Sequence, residues 1–199
     1  LASGRSCADG GDAVNYSVTS SVAAAATSVT LSSTPSSGCL VAGDEVLIIN
    51  LQGTSGDNSN VGKYETKTIS SVSTATLNFS NGLSNAYDGT TQKIMVQRVP
   101  NYTSVTINSS QTLTANAWDG TKGGVLFFRA NGTVTVTGAI SMASKGFQGG
   151  LTSTAPENYT GRPSFASGGG GGGGGCNYNG GCGGGSASGG SPSGGNPSN

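Results

Sequence analysis

The chain of 199 residues contains no histidine. That absence excludes Ser-His-Asp and Cys-His catalysis and every metal centre that needs an imidazole ligand. Charge is scarce too: nine Lys and Arg balance nine Asp and Glu, so 9% of residues are charged and the net charge is zero. Nucleic-acid binding needs clustered Lys and Arg, which this composition does not supply. No apolar run approaches the ~18 residues of a membrane-spanning helix. Nor does any segment carry a helical period, and Ala23–Ala26 is too short and too flanked by β-branched residues to hold a helix.

What replaces charge is hydroxyl and amide polarity, from 30 Ser and 22 Thr, together with 36 Gly, of which 18 fall in residues 161–199. Hydrophobic residues make up 33%, enough for a modest core over residues 1–150 but not beyond. The readable segments alternate with the two-residue period of strands. They are Ala13–Thr19, Thr27–Leu31, Tyr64–Val72, Ala75–Phe79, Lys93–Val99 and Thr103–Ile107. Glu45–Leu51 (EVLIINL) is a continuous apolar run after the turn Ala42-Gly43-Asp44, and reads as a strand buried on both faces. Asn81-Gly82, Asp88-Gly89 and Pro100-Asn101 punctuate the pattern. The fold expected is all-β, with a β-sandwich or β-roll over residues 1–102, a segment of shorter strands over 103–150, and a Gly/Ser-rich tail over 151–199.

The middle segment carries the strands TSVTI, QTLT, Gly124–Ala130 (GVLFFRA), Thr133–Thr137 (TVTVT) and Ala139–Met142 (AISM), separated by brief turns. The stretch GGVLFFRANGTVTVTGAISMASKGFQGG, ahead of a glycine-rich tract, resembles a rung of secreted parallel β-helix proteins, the solenoids of bacterial surface proteins and polysaccharide-acting enzymes. That resemblance implies that Val125, Phe127, Val134, Val136 and Ile140 point inward while Gly132, Gly138 and Gly146 take the tight turns. A solenoid generally needs about three stacked units. Two or three are readable, so an open end that needs covering is expected.

Four cysteines, an even number, fit an oxidising exterior. The favoured pairing is Cys7 with Cys39 and Cys176 with Cys182, because each pair lies within one compositional region. A zinc site built from all four thiolates has no Cys-x-x-Cys spacing to support it. Asn-x-Ser/Thr acceptor patterns occur at Asn15, Asn78, Asn101, Asn108, Asn131 and Asn158, and are candidate glycosylation sites, with O-linked sugars equally open. The start at Leu1, without Met or a leader, is expected of a mature secreted form or of a fragment of a longer chain.

The tail includes the uninterrupted glycines Gly168, Gly169, Gly170, Gly171, Gly172, Gly173, Gly174 and Gly175. Ordering them would cost roughly 8–16 kcal/mol, which only backbone amides hydrogen-bonded to neighbours can offset. A polyproline-II-like rod has no internal hydrogen bonds and offers its amides to other chains, so the tail reads as an assembly element.

Residue types that carry chemistry are few. Asp44 and Glu45 are the only adjacent carboxylate pair, and because neighbouring residues in a strand face opposite sides the two cannot readily share a substrate. Over the solenoid-like segment Asp119 is the single carboxylate, too few for two-carboxylate glycoside hydrolysis. Asp57-Asn58-Ser59-Asn60 lacks the glycine-then-glutamate continuation of an EF-hand. Trp118, in Ala117-Trp118-Asp119-Gly120, sits in a turn-like sequence where it could stack on a sugar or pack in the core. Thr133, Thr135 and Thr137 form one short row that is not repeated.

Together these features predict a non-catalytic, secreted structural subunit, without cofactor or metal, outside a bacterial or archaeal cell. Its expected partners are copies of itself and glycans. Strand addition by Ala13–Leu31 or by the glycine tail would build a filament or surface layer. An adhesin or carbohydrate-binding fragment of a larger surface protein is the alternative, and a polysaccharide-acting enzyme a third reading.

Overall fold

A computed structural model describes residues 7–54, 57 and 60–146. Gly168–Gly175, Cys176, Cys182 and Asn158 lie outside the described residues. The described chain is all-β, with no helix among these residues. Its first part supplies β1 (Asn15–Val18), β2 (Ser21–Val22), β3 (Ser28–Thr30), β4 (Glu45–Gln52), β5 (Tyr64–Ser73), β6 (Thr76–Phe79), β7 (Tyr87–Asp88) and β8 (Lys93–Arg98).

Six of these strands form one antiparallel sheet in the order β1-β8-β4-β5-β6-β3, and β2 pairs with β7 in a short ribbon. The sheet curls until its two ends meet. Val18 of β1 bridges Leu31, just past β3, and the Ser32 N–H donates to the Ser17 carbonyl at 2.8 Å. Each edge of the sheet thereby covers the other.

The apolar run of β4 lies at the centre because only a central strand needs both faces apolar. Val46, Leu47 and Ile48 are all essentially inaccessible. Val46 and Ile48 face the interior of the curl with Tyr16, Val18, Ile94, Val96, Ile69 and Leu77. Leu47, by strand alternation, faces the other way, as do Met95 and Gln97. Gly43, with φ 91°, turns the chain into β4 in a conformation that L side chains rarely adopt. The Ala23–Ala26 segment is a turn, with Ala25 at φ 66°.

After Arg98 the pairing changes from antiparallel to parallel. β9 (Asn101–Tyr102), β10 (Val105–Ile107) and β11 (Thr112–Leu113) pair respectively with β12 (Arg129–Ala130), β13 (Val134–Val136) and β14 (Ala139–Ile140). The registers Asn101↔Arg129, Val105↔Val134 and Thr112↔Ala139 each carry the chain forward by about 28 residues, a period within the range of solenoid repeats. Three short parallel pairs at so constant an offset are two stacked coils of a solenoid.

The coils bury Tyr102, Val105, Ile107 and Leu113, with Leu126, Phe128 and Ala130 packed against them. This corrects the expected inward set on one side. Leu126 and Phe128 contact the core in place of Val125 and Phe127, because β12 begins only at Arg129 and sets the alternation one residue off. Phe127 instead lies under the Arg129 guanidinium, 5.8 Å from its ring centre. Val134, Val136 and Ile140 do stack in register on Val105, Ile107 and Leu113. They nonetheless remain 41%, 45% and 47% exposed, since no described coil follows them.

Glycines 132 and 138 are required by close approach rather than by backbone sign. A Cβ on Gly138 would sit 2.2 Å from the Gln111 carbonyl oxygen and 2.3 Å from that of Asn108, and one on Gly132 would lie 2.7 Å from the Thr103 carbonyl. Gly146 lies in a bend beside Gly124.

Candidate functional site: the coil face and its junction with the sheet

The coils are fixed to the curled sheet at two polar joints. In the first, Arg98 at the end of β8 is 3% exposed and points into the mouth of the curl. Its Nε donates to the Asp12 carbonyl at 2.7 Å, Nη1 to the Cys39 carbonyl at 3.0 Å, and Nη2 to Asp12 Oδ1 at 2.9 Å. Asp12 Oδ2 accepts the Tyr102 hydroxyl at 2.8 Å, so one carboxylate ties the first coil to the sheet. Burial, and then Asp12, push the Tyr102 phenol up.

In the second joint, Glu45 at the start of β4 receives Arg129 Nε at 2.8 Å and Nη2 at 2.7 Å, a two-point pairing from the second coil. Asn101 donates to the same carboxylate at 3.3 Å. The Arg129 guanidinium holds the Glu45 carboxyl below its ordinary range, against the opposing effect of burial. Between the joints, the loop joining the coils lies on the sheet's second face, where the Gly123 N–H meets Met95 Sδ at 3.2 Å.

With these charges paired, the outward side of the coils presents hydroxyls and amides. Thr106 stacks on Thr135 in parallel register, and both are exposed. Asn108, Thr112, Asn131 and Thr133 are exposed around them. Thr137 is exposed too, but its hydroxyl donates inward to the Ile107 carbonyl at 3.0 Å. The row of threonines on one strand therefore has a second tier, from Thr106, that alternation along a single strand could not reveal.

The predicted site residues are dispersed. Cys7 and Cys39 are bonded to each other, with Cα atoms 4.9 Å apart. Among the described residues, the one cluster of potential metal-ligating side chains is Cys7, Asp9 and Cys39. Its sulfurs are already joined, and Asp9 accepts hydrogen bonds from Tyr16 and Ser36, so the donor set does not fit a metal ion. Asn101, Asn108 and Asn131 are exposed on the coils, whereas Asn15 and Asn78 are half-buried in paired strands of the sheet. Asp44 accepts the Val41 N–H at 2.9 Å and Glu45 is engaged by Arg129, so the two carboxylates serve separate structural partners. Trp118 is half-buried at a turn in which the Asp119 N–H donates to the Lys122 carbonyl at 3.0 Å.

The expectation that Ala13–Leu31 is donated to a neighbouring subunit is corrected. β1, β2 and β3 pair with β8, β7 and β6 of their own chain, and Tyr16, Val18 and Val29 are buried in its core. Removing that segment would dismantle the sheet rather than lend a strand.

No family model matches the chain. No curated protein matches it either. Similar solved structures are phage tailspikes. Tailspike gp49 of Pseudomonas phage LKA1 is 26% identical over 52% of this chain and 17% of its own, with a TM-score of 0.37. Tailspike gp61 of Pseudomonas phage phi297 is 17% identical over 64% of this chain and 18% of its own, at 0.36. The gp54 tailspike of Acinetobacter baumannii bacteriophage AP22, solved with a capsular saccharide, is 14% identical over 61% of this chain and 21% of its own, at 0.35. The chain thus spans about a fifth of the length of these proteins.

Proposed function

We propose that this chain is a non-catalytic carbohydrate-binding or adhesive module of a secreted surface protein, working outside a bacterial or archaeal cell. The observation that carries this reading is the two-tier hydroxyl and amide face of the coils, with Thr106 over Thr135 and exposed Asn108 and Asn131 beside them. Sugar hydroxyls both donate and accept, as do threonine hydroxyls and asparagine amides. The two joints hold the coil face rigid, which lowers the ordering cost of binding. Because Arg129 is already paired with Glu45, recognition is by neutral hydrogen bonds and does not depend on ionic attraction. Self-assembly by donation of the first strands is the weaker reading, since those strands complete their own sheet.

The test is retention of the purified chain on a panel of immobilised neutral and acidic polysaccharides. Retention on at least one neutral polysaccharide is expected, unchanged by raised salt. Replacing Thr106 and Thr135 together by Val should weaken it about tenfold, from two neutral hydrogen bonds worth about 0.5–1.5 kcal/mol each. Absence of retention on every polysaccharide overturns the proposal. Fibres of the same preparation in the electron microscope would then favour the self-assembling subunit.

A further inference from the structure

Two charged side chains occupy inward positions of the curled sheet and belong to neither joint. The register of β4 with β5 places Glu65 opposite Ile48 and Lys67 opposite Val46, so both lie on the face that packs the apolar interior. Their side chains are 9% and 15% exposed, and Lys67 Nζ lies 3.1 Å from Glu65 Oε2. Apolar residues of similar volume would stabilise such a position about as well as a buried ion pair does. Stability alone therefore does not account for the pair.

The loop between β6 and β7 closes over it. That loop is seated by the Ala25 N–H on the Leu83 carbonyl at 2.8 Å and by the Leu83 N–H on the Ala26 carbonyl at 2.9 Å. At Gly82 the approach is closer still, since a Cβ there would lie 2.5 Å from the Ala25 carbonyl oxygen. Lys67 Nζ donates to the Gly82 carbonyl at 2.6 Å. From the same loop, the N–H and the Nδ2 of Asn85 donate to Glu65 Oε1 at 3.0 and 3.3 Å. The Ser84 N–H donates to Oε2 at 2.8 Å, and the hydroxyl of Tyr87, itself buried, donates to Oε1 at 3.1 Å. One carboxylate thus holds a primary amine on one oxygen and a carboxamide on the other.

These are the three groups that amide exchange needs: a nucleophile, an acyl donor, and a carboxylate able to move protons between the two nitrogens. We infer that Lys67 and Asn85 join in an intramolecular isopeptide bond, with Glu65 as the proton carrier. The bond would tie β5 to the loop ahead of β7, a part of the sheet that Cys7–Cys39 does not reach. The inference stands apart from carbohydrate binding.

The step balances without any co-reactant. Glu65 Oε2 takes one proton from the Lys67 ammonium, and rotation of the unbranched lysine stem brings the freed amine to the attack distance of about 3–3.5 Å from Asn85 Cγ. The bond from Nζ to Cγ forms as the bond from Cγ to Nδ2 breaks. Nδ2 leaves as ammonium, carrying the proton returned by Glu65 and a second proton from the attacking nitrogen. The chain loses one ammonia and one positive charge. Against burial, the Ser84 and Asn85 N–H groups hold the Glu65 carboxyl below its ordinary range, so it takes the lysine proton only rarely. The reaction is accordingly slow and happens once per molecule.

Mass spectrometry of the reduced full chain tests it. After incubation at about pH 9, where more of a lysine's amine is free, the chain should be lighter than its sequence by one ammonia, and digestion should release a branched peptide joining Lys67 to Asn85. Lys67→Arg and Asn85→Ala should each keep the full sequence mass. Glu65→Gln, which preserves the shape but cannot carry the proton, should slow the change by about a hundredfold or more. The branched peptide is read on the unaltered chain, so the test survives a variant that does not fold. Full sequence mass in the unaltered chain after that incubation overturns the inference. So does an ammonia loss that persists in Lys67→Arg, which would place it in a cyclic imide at Asn81-Gly82 or Asn131-Gly132.

Discussion

Replacing Arg98 by Met should destabilise the whole described fold rather than one loop of it. The guanidinium makes four hydrogen bonds, to the carbonyls of Gly11, Asp12 and Cys39 and to the Asp12 carboxylate. Methionine matches the stem but leaves the acceptors without their donor. Removing one partner of a buried ion pair costs about 3–5 kcal/mol. The Asp12 side chain keeps 19% of its exposure and its hydrogen bond from the Tyr102 hydroxyl, which sets the expectation at the low end, about 3 kcal/mol. With a urea dependence of about 1–3 kcal/mol per molar, the midpoint measured by circular dichroism with the disulfide intact should fall by about 1–3 M.

A double-mutant cycle with Asp12→Asn isolates the pair, because its members act as one unit and should show a coupling of about 1–3 kcal/mol. Arg98→Lys should fall between, keeping the charge but not the planar fork that reaches several acceptors at once. A loss below about 1 kcal/mol for Arg98→Met, or strict additivity with Asp12→Asn, would refute the view that this joint ties the sheet, the disulfide segment and the first coil together.

Reducing Cys7–Cys39, which closes a 32-residue separation, should cost about 3–4 kcal/mol through the entropy regained by the unfolded chain, read as a lowered urea midpoint in reductant. Gly138→Ala should cost about 1–3 kcal/mol through contact with two carbonyl oxygens. Its effect should appear as faster exchange in β10 and β11 with Ile48 unchanged, and equal loosening of both regions would contradict the local contact. Gly43→Ala, with open space around the added methyl but φ at 91°, should cost only about 1 kcal/mol by the same melt. The pH profile should fall on both sides. Arg129 holds Glu45 below the ordinary carboxylate range, and against burial the Ser84 and Asn85 N–H groups, at 2.8 and 3.0 Å, do the same for Glu65 in β5, so the stabilisation of both is present at neutral pH and lost as pH falls below about 4. Burial raises the phenols of Tyr87 and Tyr102, so stability should decline as pH rises beyond about 10. A Tyr102→Phe chain should retain more of its stability there, and an unchanged alkaline limb would argue against the assignment.

Much of the fold was legible because strand periodicity is local. Glu45–Gln52 and Tyr64–Ser73 coincide closely with the expected strands, since a continuous apolar run after the turn at Gly43 marks the first and two-residue alternation marks the second. The parity of Gly124–Ala130 was not legible. That run is apolar throughout, and only the pairing of Arg129 with Asn101 selects which side faces the core. The two joints were illegible for another reason: Asp12 and Arg98, or Glu45 and Arg129, lie more than eighty residues apart, and no spacing rule links them. The pairing of Cys7 with Cys39 could be chosen from composition, but the role of the Cys39 carbonyl as an Arg98 acceptor could not. The coil offset is a property of the sequence, yet it becomes readable only after the registers of β9, β10 and β11 fix its value.

The chain order of the fold has a consequence for how it forms. Every strand of the curled sheet comes from residues 15–98, and the coils begin only at residue 101. A chain emerging from its N-terminus can therefore finish the slow, non-local antiparallel pairing before any coil exists. The second coil then pairs with the first at a separation of under thirty residues and is fastened to the finished sheet through Arg129 and Glu45. Folding in this protein is set up to proceed as accretion: a completed foundation, followed by layers laid down in the order in which they are synthesised.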